Sequence, residues 1–559
     1  METNYGKTYW WILAVAAILF IPFTGNVHLF DWDEINFAEC AREMLVSHDY
    51  FQPQINFQPF WEKPPLFIWL QALSMRLLGV NELAARLPNA LVGLLTLFTI
   101  MRVGDKMSGT AHTGKYWALA FLGSILPHLY FRSGIIDPLF NYFMFLGILY
   151  YGYAFAKANR LGTFRYSTYT YAALSGLFIG LGVLTKGPVA YLIPALVIFI
   201  EWSIRRFRNF KLLLVHMTIL SVTALLTTLL WFGPDLIMNG PWFLKTFITY
   251  QIRLFSTPDA GHGGFFGYHF VVLLFGVFPA SFLAIRGLIF RKEIRKKNKT
   301  LIFNRLMSAT FWVVLVLFTI VKSKIVHYSS MAYFPLTYYA GFAVAKTIKN
   351  PNEIPLSLKK VILFVGIVIG LIVASVPFLG HHIELLKPFF EQDKFALANL
   401  EATVHWPLWQ GIAGLELIAT VVAWYLICQR NKTKTAYTLL FLGTALFVWL
   451  TLSFYIKKIE KYSQNAAIEF FKSKQEEDCY ILPVGYKSYA HLFYAKIKPH
   501  HNKKAYDTDW LTDGPVDKTT YLVGKITSLN YLKNRPDAKE IYRKNGFIVF
   551  VRHPTKPTQ

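Results

Sequence analysis

Short polar clusters separate the long apolar runs of this 559-residue chain, and six of them hold residue types able to do chemistry. They are Asp33-Glu34, Trp61-Glu62-Lys63-Pro64-Pro65, Asp137-Pro138, Thr185-Lys186-Gly187-Pro188, Arg253 with His262, and Lys322-Ser323-Lys324 followed by Tyr328. A carboxylate beside an attacking oxygen works as general base or orienting group, and cations stabilise charge that develops on phosphate. Lysine meets phosphate oxygens as a compact charge and arginine as a two-pronged donor. Tyr328 adds a hydroxyl. The clusters therefore offer carboxylates next to an anion site.

Each cluster also has a plainer account. Asp33 and Glu34 open a stretch with Phe37, Cys40, Ala41 and Met44 at helical spacing, where carboxylates suit the positive helix end. Glu62 and Lys63, stiffened by two prolines, suit a structural ion pair. Asp137 and Pro138 suit a helix start, and Arg132 is near enough in sequence to pair with the aspartate. Lys186, Lys322 and Lys324 can snorkel along apolar surface. None of these accounts explains why all six clusters fall in alternate gaps between the apolar runs.

The elements that must position these groups follow from composition. The chain is 54% hydrophobic and 16% charged, with a mean hydropathy of +0.37. Soluble domains are about a quarter charged. Thirteen runs are long enough to be read as membrane spans: about 9–24, 83–101, 116–131, 136–156, 171–185, 187–203, 212–232, 269–288, 303–321, 326–345, 360–378, 407–427 and 436–456. The first has no small-residue cleavage site behind it and is expected to be a retained helix. The fold class is an all-α polytopic membrane protein.

Orientation follows from Lys and Arg. Six alternate gaps are basic and otherwise bland, among them Arg102 to Lys115, Arg205 to Lys211, Arg286 to Arg305 and Arg430 to Lys434. Such gaps face the cytoplasm. The amino terminus is then inside, the carboxyl terminus outside, and the chemistry-bearing clusters share the outer face. The net charge of +25 is explained by this bias, and nucleic acid is not expected as a partner. Long outer loops are expected at 25–82, 233–268 and 379–406. Within the first, Leu66 to Leu78 reads as a helix lying on the membrane.

After about residue 457 the apolar runs shrink to strand length. Cys479–Val484, Thr520–Val523 and Phe547–Val551 read as strands, and Ser488–Ala495 and Ser528–Lys533 as helices. The expected domains are thus a transmembrane unit, 1–457, and a small α/β domain, 458–559, outside the membrane. The three cysteines give no framework; free thiols are expected, with a Cys40–Cys479 pair as the alternative.

Taken together, the motifs resemble a known family. Asp33-Glu34 with Phe37-Ala38-Glu39 and Ala41-Arg42-Glu43-Met44 is similar to the first-loop signature of the bacterial polyprenyl-phosphate-sugar glycosyltransferases of the GT-C type. So are Trp61-Glu62-Lys63-Pro64-Pro65 with Trp69-Leu70, Asn81-Glu82-Leu83-Ala84-Ala85-Arg86-Leu87-Pro88, Leu184-Thr185-Lys186-Gly187-Pro188, and Lys322-Ser323-Lys324 with Tyr328. This is the branch related to protein O-mannosyltransferases that includes lipid A modification. Two places depart from the pattern: Asn36 stands where the family usually has Arg, and Gly263-Gly264-Phe265-Phe266-Gly267 replaces a stretch with Pro and paired Trp.

The resemblance implies inverting transfer of a sugar from a polyprenyl (undecaprenyl) phosphate carrier to lipid A or another envelope acceptor, at the outer face of the bacterial inner membrane. It implies Asp33 as the catalytic carboxylate and Asp137 in support. Glu34, Lys63, Lys186, Arg253, His262, Lys322, Lys324 and Tyr328 become substrate-binding residues, with Lys63, Arg253 and Tyr328 on the carrier phosphate. Glu62 is a candidate ligand for a divalent ion, though one carboxylate is thin support for a metal. A monomer among membrane lipids is expected. Two other readings stand beside this one. A transfer of sugar to protein would use the same fold. A transporter or lipid flippase would place its charges near the midplane of repeated halves, and no such repeat is evident.

Overall fold

A computed structural model describes residues 5–257, 263–290 and 299–554. His262 and the basic run 291–298 lie outside the described residues. Every one of the thirteen apolar runs carries helix, but several are broken or short. Residues 116–131 split into Thr113–Leu122 and Ile125–Tyr130. Tyr268–Gly276 and Ala280–Ile289 meet at 104°. The run from 326 begins as a 3-10 turn, Val326–Ala332, before the helix Tyr333–Thr347. Among the described residues eight helices are long and apolar enough to cross a membrane, or nine if the bent pair is one span. The remaining runs fall short of the ~20 residues that a single rod needs.

Burial separates inner from outer helices. Asp137–Ala158 and Tyr333–Thr347 are buried along most of their lengths. Phe210–Asn239 and Leu356–His381 expose broad apolar faces, as helices facing lipid do. Phe210–Asn239 runs seven residues past the expected end of its span. The loop after it is mostly a second helix, Trp242–Ser256.

In the first loop, Asp33–Ser47 and Leu66–Leu78 are helices, the latter with Leu73, Leu77 and Leu78 exposed. The carboxyl-terminal segment holds a four-stranded sheet. Tyr480–Val484 pairs parallel to Thr520–Lys525, which pairs antiparallel to Phe547–Arg552, and that strand pairs antiparallel to Ala538–Lys544. The last of these has no counterpart in the sequence reading. It is an edge strand rich in Lys539, Glu540, Arg543 and Lys544, and charged edges carry no apolar run. Cys40, Cys428 and Cys479 are all free and buried.

Candidate active site

Two buried frameworks position the polar clusters. The first is built on Arg86. Its guanidinium grips Glu34 through both prongs, Nε to Oε1 at 3.0 Å and Nη2 to Oε2 at 2.6 Å. It also donates to the carbonyls of Thr24, Val27 and His28. Glu34 accepts further from the backbone N–H of Phe30 at 3.0 Å and Gly134 at 2.5 Å. Burial opposes the charge of Glu34, but Arg86 and these two N–H groups outweigh it and hold the carboxyl below the usual range. Asn89 donates to the carbonyls of Ser133 and Ile135, and Gln71 to those of Ala85 and Gly134. The chain before Asp33 and the chain before Asp137 are thus tied to the same helix, Glu82–Ser108, whose start Asn81 caps.

The second framework is carried by the helix Asp33–Ser47 itself. Arg42 makes a two-pronged bond to Glu39 at 2.6 and 2.7 Å. Glu43 accepts the N–H of Asn56 and Phe57 at 2.6 and 2.7 Å. Both loop residues have positive φ, so the carboxylate holds a turn that would otherwise relax. This gives the Ala41-Arg42-Glu43-Met44 signature a positioning role.

Above these frameworks opens a cavity of about 540 Å³. Its polar lining is Asp31, Asp33, Glu34, Glu62, Lys63, Asp137, Lys186, His327 and Tyr328. Its apolar lining includes Phe140, Met144, Ile193, Phe318 and Met331. Asp33 and Asp137 converge on one imidazole: His327 Nε2 lies 3.8 Å from Asp33 Oδ2 and 3.9 Å from Asp137 Oδ2. Lys186 donates to Asp137 Oδ1 at 2.6 Å and sits 5.5 Å from the Tyr328 ring centre. Lys63 lies 5.3 Å from the Tyr250 ring centre. Burial, opposed by Glu62 and reinforced by Lys186, holds the Lys63 ammonium below its ordinary value.

The expected site residues divide into three groups. Asp33, Glu62, Lys63, Asp137, Lys186 and Tyr328 meet in the cavity. Glu34 reaches its wall, but its oxygens are taken up by Arg86, Phe30 and Gly134. Arg253, Lys322 and Lys324 are not among the lining residues. Arg253 is exposed on the helix that brings Tyr250 and Gln251 to the cavity. Lys322 is exposed. Lys324 is buried and donates to the carbonyls of Phe318, Thr319 and Val321 at 3.0, 2.7 and 2.6 Å, closing the end of the helix Lys299–Ile320. Its charge answers that helix terminus. Arg132, expected as a partner of Asp137, instead donates to the carbonyls of Leu19 and Pro22. Asp137 accordingly owes its fixed position to Lys186. Among the described residues no group of three His, Cys, Asp or Glu side chains is placed to hold a metal ion, so Glu62 has no such fellow ligands.

Three contributors were not singled out from sequence. His327 sits between the Lys324 and Tyr328 that were, and a histidine at a membrane edge was the available signal. Trp32 takes a positive φ of 78°, unusual for a bulky residue, immediately before Asp33. Lys487, from the carboxyl-terminal segment, lies 4.8 Å from the Trp32 ring centre. No spacing in the sequence joins residues 455 positions apart.

A family model described as dolichyl-phosphate-mannose-protein mannosyltransferase matches residues 62–231. The match covers under a third of the chain and shows a likeness to that family over those residues. The chain is also similar to arabinosyl transferases. The chain is 26% identical over 272 residues to the undecaprenyl phosphate-alpha-4-amino-4-deoxy-L-arabinose arabinosyl transferase of Edwardsiella ictaluri, covering 48% of each protein. It is 25% identical over 410 residues to that of Pectobacterium atrosepticum, covering 73% of this chain and 70% of the relative. The match thus spans about half the length of the first relative. The crystal structure of ArnT from Cupriavidus metallidurans bound to undecaprenyl phosphate superposes with a TM-score of 0.77 over 99% of this chain and 98% of that one, at 17% identity. At that identity the likeness is one of fold.

Proposed function

We propose that this protein is an inverting glycosyltransferase that moves a sugar from an undecaprenyl phosphate carrier to lipid A or a similar envelope acceptor, at the outer face of the inner membrane. One observation carries the reading. Five carboxylates, a histidine and two lysines line a cavity that also has apolar walls, and two of the carboxylates, Asp33 and Asp137, face the histidine. A lipid phosphate needs that combination: cations for its head and apolar surface for its chain. The names of the relatives supply the donor sugar, 4-amino-4-deoxy-L-arabinose, and hence pentosyl transfer.

In this reading the bond between the sugar's anomeric carbon and the carrier phosphate breaks, and a bond from that carbon to the acceptor oxygen forms. The leaving polyprenyl phosphate takes the electron pair, and Lys63 and Tyr328 stabilise it, with Arg253 reaching in from its helix. A hydroxyl acceptor gives its proton to Asp33; a phosphate acceptor is already ionised, and Asp33 then orients it. Asp137, held by Lys186, fixes His327 and the sugar. Asn36, in place of the family's arginine, is buried within the first-loop helix Asp33–Ser47 and alters the surroundings of acceptor or sugar. The chain crosses the membrane thirteen times in this proposal, with the carboxyl-terminal sheet outside, where Lys487 meets Trp32.

The test is transfer by the purified protein from the undecaprenyl-linked aminopentose to lipid A, read by mass spectrometry. A lipid A mass increase of one aminopentose is expected. Transfer to a polypeptide instead would move the protein to the O-glycosylation branch, and no transfer to any acceptor would remove the enzymatic reading.

A further inference from the structure

A second cavity, of about 560 Å³, lies at the opposite end of the helix Val189–Ile204 from Lys186 and Pro188. Sixteen residues at ~1.5 Å each separate the two ends of this helix by about 24 Å, most of a hydrocarbon core. Arg205, Arg206, Arg208 and Arg305 line it, with Asn159 and Asn209. One carboxylate answers them. Glu201, fully buried, accepts from Arg205 Nε at 2.8 Å, and its other oxygen lies 4.0 Å from Arg305 Nη1. Arg206 and Arg208 make no ion pair among the described residues. Four guanidinium groups against one carboxylate leave three uncompensated positive charges around one cavity.

The inward bias of Lys and Arg explains why arginines occur in this loop. It does not explain a cavity in which a buried glutamate bonds one of them, Arg205, and faces a second, Arg305. The backbone of the loop is also held in an unusual form. Arg206, Phe207 and Asn209 all take positive φ, near 57°, 58° and 61°. Beside the cavity is an apolar ledge: Ile204, Phe207 and Phe210 are about half exposed, and the Phe207 ring packs 4.7 Å from that of Trp202. Guanidinium forks suit phosphate oxygens, and a ledge of exposed apolar side chains suits the acyl and glycerol parts of a lipid.

We infer that this cavity binds the phosphate headgroup of an anionic glycerophospholipid, in the leaflet opposite the catalytic cavity. Basic pockets between membrane helices on the cytoplasmic side recognise such headgroups. A soluble phosphate compound shares the chemistry but has no use for the ledge.

The experiment is native mass spectrometry of the full chain, released from detergent with phosphatidylglycerol, cardiolipin or phosphatidylcholine added. The wild type is expected to retain either anionic lipid at least tenfold more than phosphatidylcholine. The variant Arg206→Gln with Arg208→Gln, both at exposed positions, is expected to lose that preference while keeping its melting temperature. Arg430→Gln, a basic residue outside the cavity, should retain it. Three results overturn the inference: equal retention of phosphatidylcholine, an unchanged preference in the double variant, or an equal loss in Arg430→Gln. A final arm adds inorganic pyrophosphate. If pyrophosphate binds this cavity in lipid-free micelles and displaces the lipids at comparable concentration, the ligand is a soluble phosphate and the lipid assignment fails.

Discussion

Asp33 and Asp137 differ in how they are held, and the difference separates their roles. Asp137 is buried and bonded to Lys186, while Asp33 keeps partial exposure in the cavity lining. In the proposed reaction Asp33 meets the incoming acceptor, and a group that does so needs that access. Asp33→Asn keeps size and removes charge. It should cut transfer by about a hundredfold or more, as loss of an acid–base group does. Carrier binding and melting temperature should stay as in the wild type; near-normal turnover would make Asp33 structural. Lys63 carries a second prediction. Lys63→Ala should weaken undecaprenyl phosphate binding by about 1.5–3 kcal/mol, the range for a hydrogen bond to a charged group. Lys324→Met should instead lower the melting temperature and leave carrier affinity unchanged, because its three donors serve a helix end. Titration of the purified variants with carrier lipid separates the two lysines.

At the scale of elements, the Arg86–Glu34 pair and Gly187 decide whether the cavity keeps its shape. Glu34 has a folded-state pKa below its ordinary value of about 4.5. Its contribution is therefore fully present above that value and is lost as pH falls through the lower folded-state value. Thermal stability in detergent should drop below about pH 4.5, and Glu34→Gln should lack that portion of the drop. The substitution leaves Arg86 buried without its charge partner, which costs about 3–5 kcal/mol where such pairs are broken. Equal acid profiles for variant and wild type would refute the pairing's role. Gly187 takes a φ of 114°, and a Cβ there would stand 2.5 Å from the Phe247 ring. This close approach seats the helix Trp242–Ser256, with Tyr250 and Gln251, against the end of the helix bearing Lys186. Gly187→Ala should reduce transfer through displaced substrate contacts, with a raised KM as the measurable sign.

At the scale of the whole molecule, the carboxyl-terminal segment closes over the first loop. Gln464 donates to the carbonyl of Leu29 and accepts the N–H of Asp31, and Tyr494 receives the N–H of Leu29 at 2.6 Å. With Lys487 at Trp32, these contacts place the segment on the same face as the cavity that holds Asp33. Under the proposed topology that face is outside. The native cysteines are buried, so single cysteines introduced at Lys487 and Asn431, both exposed, can be compared by labelling intact cells with a membrane-impermeant thiol reagent. Position 487 should label and position 431 should label only after lysis; the reverse would invert the active face.

The polytopic class, the helix-bearing runs, the helices Asp33–Ser47 and Leu66–Leu78 and three of the four sheet strands are all legible in the sequence. Each is set by local hydropathy and periodicity, which a linear pattern records. The cavity residues Asp33, Lys63, Asp137 and Lys186 were legible for a related reason: charges at the ends of apolar runs are expensive and stand out. What lay beyond the sequence was pairing. Lys324 and Lys186 look alike as lysines at apolar edges, yet one closes a helix end and the other meets Asp137. Glu34 and Asp33 are neighbours in sequence, yet one turns to Arg86 and the other to the cavity. His327 gained its place from two aspartates on separate helices. Such choices depend on which distant backbone and charge lie within about 4 Å, and only the packed helices bring those partners together.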